Sequence, residues 1–551
     1  MTKDELILLC NEQYNIVEYI DINEHADNFF KMEMTFRNRL KLLKQYYSNF
    51  DKNDRLVFSF DSNICNTGTT LGVVKLLQTI TNEVDIPTFF VILLLNRTKY
   101  NKEIREILDT HNQDVPMLIE YYTSTELPIE KDILEFANIK EKEEYYLTKS
   151  KTFCMYPWTH MNINPNGTVM PCCEAKGTEP IGNSNTNTLD EIWNSVEMKN
   201  LRQSMLTEQF SSVCTNCYET ENYNIKSGRN KANESYKHHI HKIHKTTAAG
   251  VAPDFELIRW DVRFSNICNL SCRSCGHVLS SNWYKDQLKL EPTYSKKYPT
   301  AIIKAGRHKT DIQEQLTPHL DYVEYIYFAG GEPLIMDEHY WILDELEKRN
   351  QFDVRLYYNT NFTNMQYKGS SIFERWKRFN LVNIDASLDA MGTHAEYMRK
   401  GTVWSEIEQN RQEMIKVCPD VRFGISSTLS LLNMWHLPDF HKSWVEQGLV
   451  EVANIKFHLL LDPVHLRIDI ASVQVKQKVK EKYLKHIEWL ESYPNIGAKN
   501  QIDLWNSAID FMLATDNHQI QLEFWDRTNK LDKIRGEDIS DSIPEIKMLC
   551  Q

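Results

Sequence analysis

The 551-residue chain predicts an α/β fold built on a parallel sheet, and three observations carry that prediction. Six apolar, strand-like runs between residues 256 and 461 alternate with helical stretches, as they do when each helix crosses over a parallel sheet. A shorter alternation of the same kind occupies the first 145 residues. Between the two lies a cysteine-rich stretch around Asn166-Gly167, a dipeptide that favours a tight hairpin. A hydrophobic content of 42% and a charged content of 25% are ordinary for globular proteins, and the length allows about three or four domains.

In the N-terminal 1–145, helical segments near 28–47 precede strands at 55–60, 87–95 and 116–122, with helices expected at 70–83 and 102–110. The first of these strands runs into DSNICNTGTT, where Asn66, Thr67 and Gly68 precede a helix; an N-capped loop is a simpler reading than an anion site. No Gly-x-Gly-x-x-Gly or P-loop pattern is present, and Cys10 and Cys65 stand alone as small hydrophobes.

From Cys154 the character changes. Cys154, Cys172 and the pair Cys214 and Cys217 are separated by MNINPNGTVMPCC, whose hairpin would return Cys172 toward Cys154, with Cys173 competing for the same position. Leu189, Ile192, Trp193, Val196, Leu201 and Met205 recur at near-helical spacing and predict one helix leading to the Cys214 loop. Residues 236–254, YKHHIHKIHKTTAAGVAP and its flank, read as a basic linker; His238, His239, His241 and His244 offer metal-ligating nitrogens, but a solvated polar surface is the simpler account.

The six principal strands are expected near 256–264, 323–329, 353–358, 382–387, 421–428 and 451–461, with helices such as DEHYWILDELEKR and SSIFERWKRF between them. The first ends in NICNLSCRSCG, which sets Cys268, Cys272 and Cys275 on one loop. Three thiolates hold three corners of a 4Fe-4S cube, whereas structural zinc usually takes four closed ligands. The second strand ends in Gly330, Gly331, Glu332 and Pro333, where paired glycines permit close backbone approach and free carbonyls suit an ammonium group. Asn359, Thr360, Asn361, Ser387, Asp389 and Arg399 lie at later strand ends, where active groups gather in parallel sheets. An amphipathic helix and a polar tail then follow; Cys418 reads as structural and Cys550 as part of a fraying terminus.

The C-x3-C-x2-C loop followed by GGEP resembles the signature of the radical S-adenosylmethionine (SAM) enzymes. The resemblance implies a partial (β/α)6 barrel over 255–465, a core 4Fe-4S cluster on Cys268, Cys272 and Cys275, and SAM at its open iron. It places Gly330, Gly331, Glu332, Ser387 and Arg399 around that cofactor, while Ser274 departs from the aromatic residue that usually precedes the last cysteine. The C-x12-G-x4-C and C-x2-C spacing of Cys154, Gly167, Cys172, Cys214 and Cys217 resembles the SPASM/twitch domain, implying one auxiliary 4Fe-4S cluster at 150–235, ahead of the core rather than behind it. A helical extension completes the chain at 466–551.

The implied activity is reductive cleavage of SAM to a 5'-deoxyadenosyl radical, hydrogen abstraction from substrate, and a net oxidation using the auxiliary cluster. The alternatives are a peptide-modifying maturase and a non-catalytic iron-sulfur or zinc protein. A reductant such as flavodoxin or ferredoxin is implied, with a small molecule or peptide as substrate. The net charge of −13 argues against broad contact with nucleic acid. The longest strongly apolar run, 89–95, is too short to span a membrane, and MTKDELILLCNEQ does not read as a signal peptide. With seven of twelve cysteines in two constellations, a reducing, cytoplasmic setting is expected.

Overall fold

The computed structural model describes four strands in the first 141 residues, and residues 142–550 apart from 223–225 and 494–495. The chain divides into two compact units, 1–149 and 150–551. In the first, β1 (Asn15–Asp21), β2 (Asp54–Asp61), β3 (Phe89–Leu95) and β4 (Met117–Tyr122) form a parallel sheet in chain order. Strands β2 to β4 are those expected from sequence, whereas β1 has the mixed sequence NIVEYID and lacked a clear apolar run. The helices expected at 28–47, 70–83 and 102–110, the loop at Asn66, Thr67 and Gly68, and Cys10 and Cys65 lie outside the described residues.

The second unit is organised by a nine-stranded sheet. Its cysteine-rich entry supplies β5 (His160–Ile163), β6 (Thr168–Met170) and β7 (Gly182–Asn183). The remainder contributes β8 (Arg259–Val262), the two-residue β9 (Ser271–Cys272), β10 (Tyr325–Phe328), β11 (Arg355–Thr360), the hairpin β12 (Gln366–Tyr367) and β13 (Ser370–Ser371), β14 (Val382–Ala386), β15 (Arg399–Lys400), β16 (Arg422–Leu429) and β17 (Ile455–Leu459). The large sheet runs β17-β16-β14-β11-β10-β8-β5-β6-β7, so the six expected strands are parallel neighbours in chain order. The hairpin adds to the first of them, because β5 pairs in parallel with β8, His160 opposite Arg259 and Ile163 opposite Val262.

Alternation along the strands decides the two faces of this sheet. Ile326, Phe328, Leu356, Tyr358, Ile384 and Ala386 are buried, while Tyr325, Tyr327, Tyr357, Asn359, Asn383 and Asp385 line a half-exposed polar face. The helix Asp337–Lys348 covers the apolar side with Ile342, Leu343 and Leu346. SSIFERWKRF forms a shorter helix than its sequence suggested, Ile372–Trp376, and buries Ile372, Phe373 and Trp376.

Three expectations are revised. The single helix expected over the Leu189 segment is two, Leu189–Trp193 and Val196–Leu206. Ser195 caps the second by accepting from the Met198 N–H, and the Asn194 amide donates to the Ala252 carbonyl (3.0 Å), so both residues are held out of helical continuity. The segment read as a linker contains a 3-10 helix, Lys237–Lys245, anchored by buried Ile240 and Ile243. The third concerns the end of the helical extension, which contains Ile496–Ala514 and Gln521–Arg535 and whose last residues were expected to fray. Trp505 there packs 4.8 Å from Phe457 and 4.7 Å from Tyr483, centroid to centroid. Cys550 follows Ile546–Leu549, whose Ile546 and Leu549 are buried, so this end is docked.

Candidate functional site

The Cys268 loop leaves β8 and is shaped by Asn266, whose amide donates to the His277 carbonyl (2.7 Å) and accepts from the Ile303 N–H (2.8 Å). β9 pairs antiparallel with β15, setting Cys272 opposite Arg399. Donors then surround the sulfurs: the Leu270 N–H lies 3.5 Å and the Asn361 amide 3.9 Å from Cys268 Sγ, and Arg399 Nη1 lies 3.7 Å from Cys272 Sγ. Such N–H···S contacts orient thiolate ligands and tune the metal they hold.

The thiols are electrostatically unequal. A hydrogen bond from Cys275, against burial and with help from Arg399, draws the Cys272 thiol down to about 7. Burial pushes Cys268 up to about 12, and the bond to Cys272 together with burial raises Cys275. Arg399 is itself held by Asp389, Nε to Oδ2 at 2.8 Å, and Asp389 accepts from the Thr428 N–H at 2.8 Å. Arg399, expected to face the cofactor, lies beside Cys272 with its guanidinium turned to that sulfur and to the Asp389 carboxylate.

The GGEP loop lies against the cysteine loop. The Glu332 N–H donates to the Ile267 carbonyl at 2.7 Å. Gly330 and Gly331 have φ of 82° and 52°, and a Cβ on Gly331 would lie 2.2 Å from Ile267 O. The Glu332 side chain turns inward: it accepts from Thr360 Oγ1 (2.8 Å), the Asn361 N–H (2.6 Å) and the Leu334 N–H (3.1 Å), and burial lifts its carboxyl to about 7. Thr360 and Asn361, candidates for cofactor contact, therefore hold Glu332. Asn359 donates to Tyr327 Oη at 2.6 Å, and Ser387 closes β14 through its N–H to the Thr360 carbonyl at 2.7 Å. Among the described residues no backbone N–H donates to the Gly330 or Gly331 carbonyl. A methyl on Gly331 would press on the Ile267 carbonyl next to Cys268, so Gly331→Ala should lower the iron held by the Cys268 loop; iron per chain measures it, and an unchanged content would show that the loop yields without disturbing its cysteines.

In the β5–β7 module the hairpin forms around Gly167, with φ 83°, as its sequence predicts. Cys154 is raised by burial and further by its neighbours Cys214 and Cys217; Cys172 is raised by burial and by Cys154 and Cys214. Burial pushes Cys214 up to about 11 and also raises Cys217. Cys154 and Cys217, buried, and Cys172 and Cys214, half-buried, offer thiols whose mutual repulsion as thiolates a cationic group would neutralise. Cys173, raised by burial to about 11, adjoins Cys172 and also feels Asp261, Glu174, Arg259 and Arg263.

Residues 154–218 match the SPASM iron-sulfur cluster-binding domain. That family is described as iron-sulfur cluster-binding, and the matched span contains Cys154, Cys172, Cys214 and Cys217. No curated protein sequence matches the chain. Among solved structures it is similar to native anSMEcpe with bound AdoMet, at 18% identity over 41% of this chain and 58% of that one, with a TM-score of 0.27. The same protein with AdoMet and the Cp18Cys peptide gives 18% identity, 40% and 57% coverage, and a TM-score of 0.26. The chain thus spans less than two thirds of the solved chains it resembles.

Two features of the site were not anticipated. Arg273, inside the core cysteine motif, stacks 3.6 Å over the Tyr397 ring and binds Asp532 and, at 2.7 Å, Glu537 of the C-terminal extension. Arg229 donates to the Phe153 carbonyl at 2.8 Å beside Cys154 and is paired with Glu221. The one sequence signal for Arg273 is a charged residue inside a cysteine motif, and nothing local marks its partners.

Proposed function

We propose that the chain is a radical SAM enzyme of the SPASM/twitch type, with residues 255–465 as a partial (β/α)6 barrel and 150–235 as the auxiliary module. It removes a hydrogen atom from a small molecule or a peptide side chain and completes a net oxidation through the auxiliary cluster. The observation that carries this reading is the laying of the Gly330-Gly331 loop directly on a three-cysteine loop at the ends of adjacent parallel strands. A core 4Fe-4S cluster with SAM supplies reductive cleavage to methionine and a 5'-deoxyadenosyl radical, on an electron from a flavodoxin- or ferredoxin-like partner.

This chain's own residues supply positioning. Gly330 and Gly331 accept from the ammonium, Arg399 and Asp389 hold Cys272 as its thiolate, and Ser387 borders the same strand ends. Cys154, Cys172, Cys214 and Cys217 satisfy all four corners of the auxiliary cluster, which suits it to accept an electron rather than to ligate substrate. A cavity of about 500 Å³, lined by Cys173, Arg259, Glu324, Tyr325, Arg355 and Tyr357 among others, opens at the amino ends of β8, β10 and β11, away from the core cysteines, and is not assigned to the reacting part of the substrate. Along the polar face of the sheet, Lys456 and Tyr357 both bind the Asp385 carboxylate, with Lys456 Nζ 3.0 Å from Tyr357 Oη.

The test is anaerobic reconstitution, reduction with dithionite, and chromatographic detection of 5'-deoxyadenosine. Wild type should release it, and a Cys214→Ala, Cys217→Ala variant should still release it while losing about four irons. A fully iron-loaded wild type that binds SAM but yields no 5'-deoxyadenosine would overturn the reading.

A further inference from the structure

We infer that His238, His239 and Glu324 form a binding site for a divalent transition metal of the zinc class. The site joins the 3-10 helix that follows the iron-sulfur module to the start of β10. His238 Nε2 lies 3.1 and 3.0 Å from the two Glu324 oxygens, and His239 Nε2 lies 2.7 Å from Oε1. One ligand atom from each of the three residues falls within 4.8 Å of the others. Tetrahedral neighbours around an ion bound at about 2.1 Å stand about 3.4 Å apart, so the imidazole–carboxylate spacings need to open by only a few tenths of an ångström to admit the ion.

The convergence is not what the local backbone produces by default. Consecutive residues on a 3-10 helix project about 120° apart, yet both imidazoles turn to one carboxylate, with ring centroids 4.2 Å apart. The two lysines that would otherwise compete for Glu324 are engaged elsewhere: Lys242 pairs with Glu256, and Lys245 with Asp254 at 2.8 Å. The carboxylate is also carried on fixed backbone. The Glu324 N–H donates to the Ile258 carbonyl at 2.8 Å, and its carbonyl accepts from the Arg355 N–H at 2.9 Å. Buried Ile240 and Ile243 fix the helix that carries the histidines.

Two imidazole nitrogens and one carboxylate suit zinc or a neighbouring first-row ion, and they do not suit calcium or magnesium, which take mostly oxygen. The His238 and Glu324 side chains are 52% and 42% exposed, leaving water to complete four-coordination. Glu324 precedes β10 and Gly330 follows it, a separation of about 20 Å at about 3.3 Å per residue. The metal therefore stands at the strand end remote from the core cysteines, as a clamp between module and sheet, outside the proposed chemistry.

The test uses untagged, iron-loaded full-length protein, incubated with zinc sulfate and gel-filtered, with zinc and iron measured per chain. Wild type should retain one zinc; a His238→Ala, His239→Ala variant and a Glu324→Gln variant should retain none, with iron unchanged in all three. X-ray absorption at the zinc edge of wild type should show only nitrogen and oxygen neighbours near 2.0–2.1 Å. Absence of zinc in wild type, zinc retained by both variants, or sulfur neighbours near 2.3 Å would each overturn the assignment. The last would mean that zinc occupies the cysteine sites, an outcome independent of whether SAM is cleaved.

Discussion

A Cys268→Ala, Cys272→Ala, Cys275→Ala variant should hold about four irons where wild type holds about eight, and it should release no 5'-deoxyadenosine. The three thiols occupy one loop between β8 and the helical segments before β10, so removing them empties one site without touching the hairpin that carries Cys172. Acid-labile sulfide should fall in proportion to iron. The residual four irons should persist because Cys154, Cys172, Cys214 and Cys217 sense one another and are remote in sequence from the substituted loop. A wild type holding only about four irons, all lost in the variant, would leave 154–217 without a cluster and the oxidation without its electron acceptor.

Acidification from pH 7.5 to 5.5 should lower the stability of the second unit: His160, His339 and His441 together withdraw about 4 kcal/mol, the likewise depressed His319, His436 and His486 add to the loss, and protonation of Glu332 offsets part of it. His160 is pushed down to about 3 by burial and by Arg259, His339 to about 3 by burial and by Arg375, and His441 to about 4 by burial. Their rings are hydrogen-bonded: His160 with the Arg259 carbonyl (3.0 Å), His339 with Tyr358 Oη (3.0 Å), and His441 with the Val452 carbonyl (3.2 Å) and with His486 Nε2 (3.2 Å). The folded values lie below the unfolded one, so the unfolded chain binds more protons as pH falls through about 6.5. Stability is therefore complete above that pH and is lost below it, each histidine contributing about 1.4 kcal/mol over this interval. Against a typical total of about 5–15 kcal/mol this is a large fraction. Urea midpoints at the two pH values measure it, and His339→Gln should remove about 1.4 kcal/mol of the difference. A difference unmoved by that substitution would show that His339 does not couple folding to pH.

What the sequence made legible is what a short window encodes. The six parallel strands, the Asn166-Gly167 hairpin and both cysteine constellations each depend on residues a few positions apart, where periodicity and turn chemistry act directly. The uses of individual side chains were less accessible. Glu332 was expected to face the cofactor, but residues 28 and 29 positions later, Thr360 and Asn361, bond it inward. The choice between Cys172 and Cys173 depends on which side chain turns toward Cys154 and Cys214, which spacing alone left open. Arg273 and Asp532 are 259 positions apart, and no local pattern connects them. The 236–254 segment, whose His and Lys content suggested a linker, is ordered by two isoleucines that the charged residues outnumber.

The parallel pairing of β5 with β8 has a kinetic meaning. Electron tunnelling falls off exponentially with distance, so a donor and an acceptor carried on separate swinging domains would exchange electrons only in their closest poses. Here the backbone ladder from His160–Arg259 to Ile163–Val262 makes both cysteine sites parts of one frame. Their separation is written into strand register and loop length, so it does not vary with solvent viscosity.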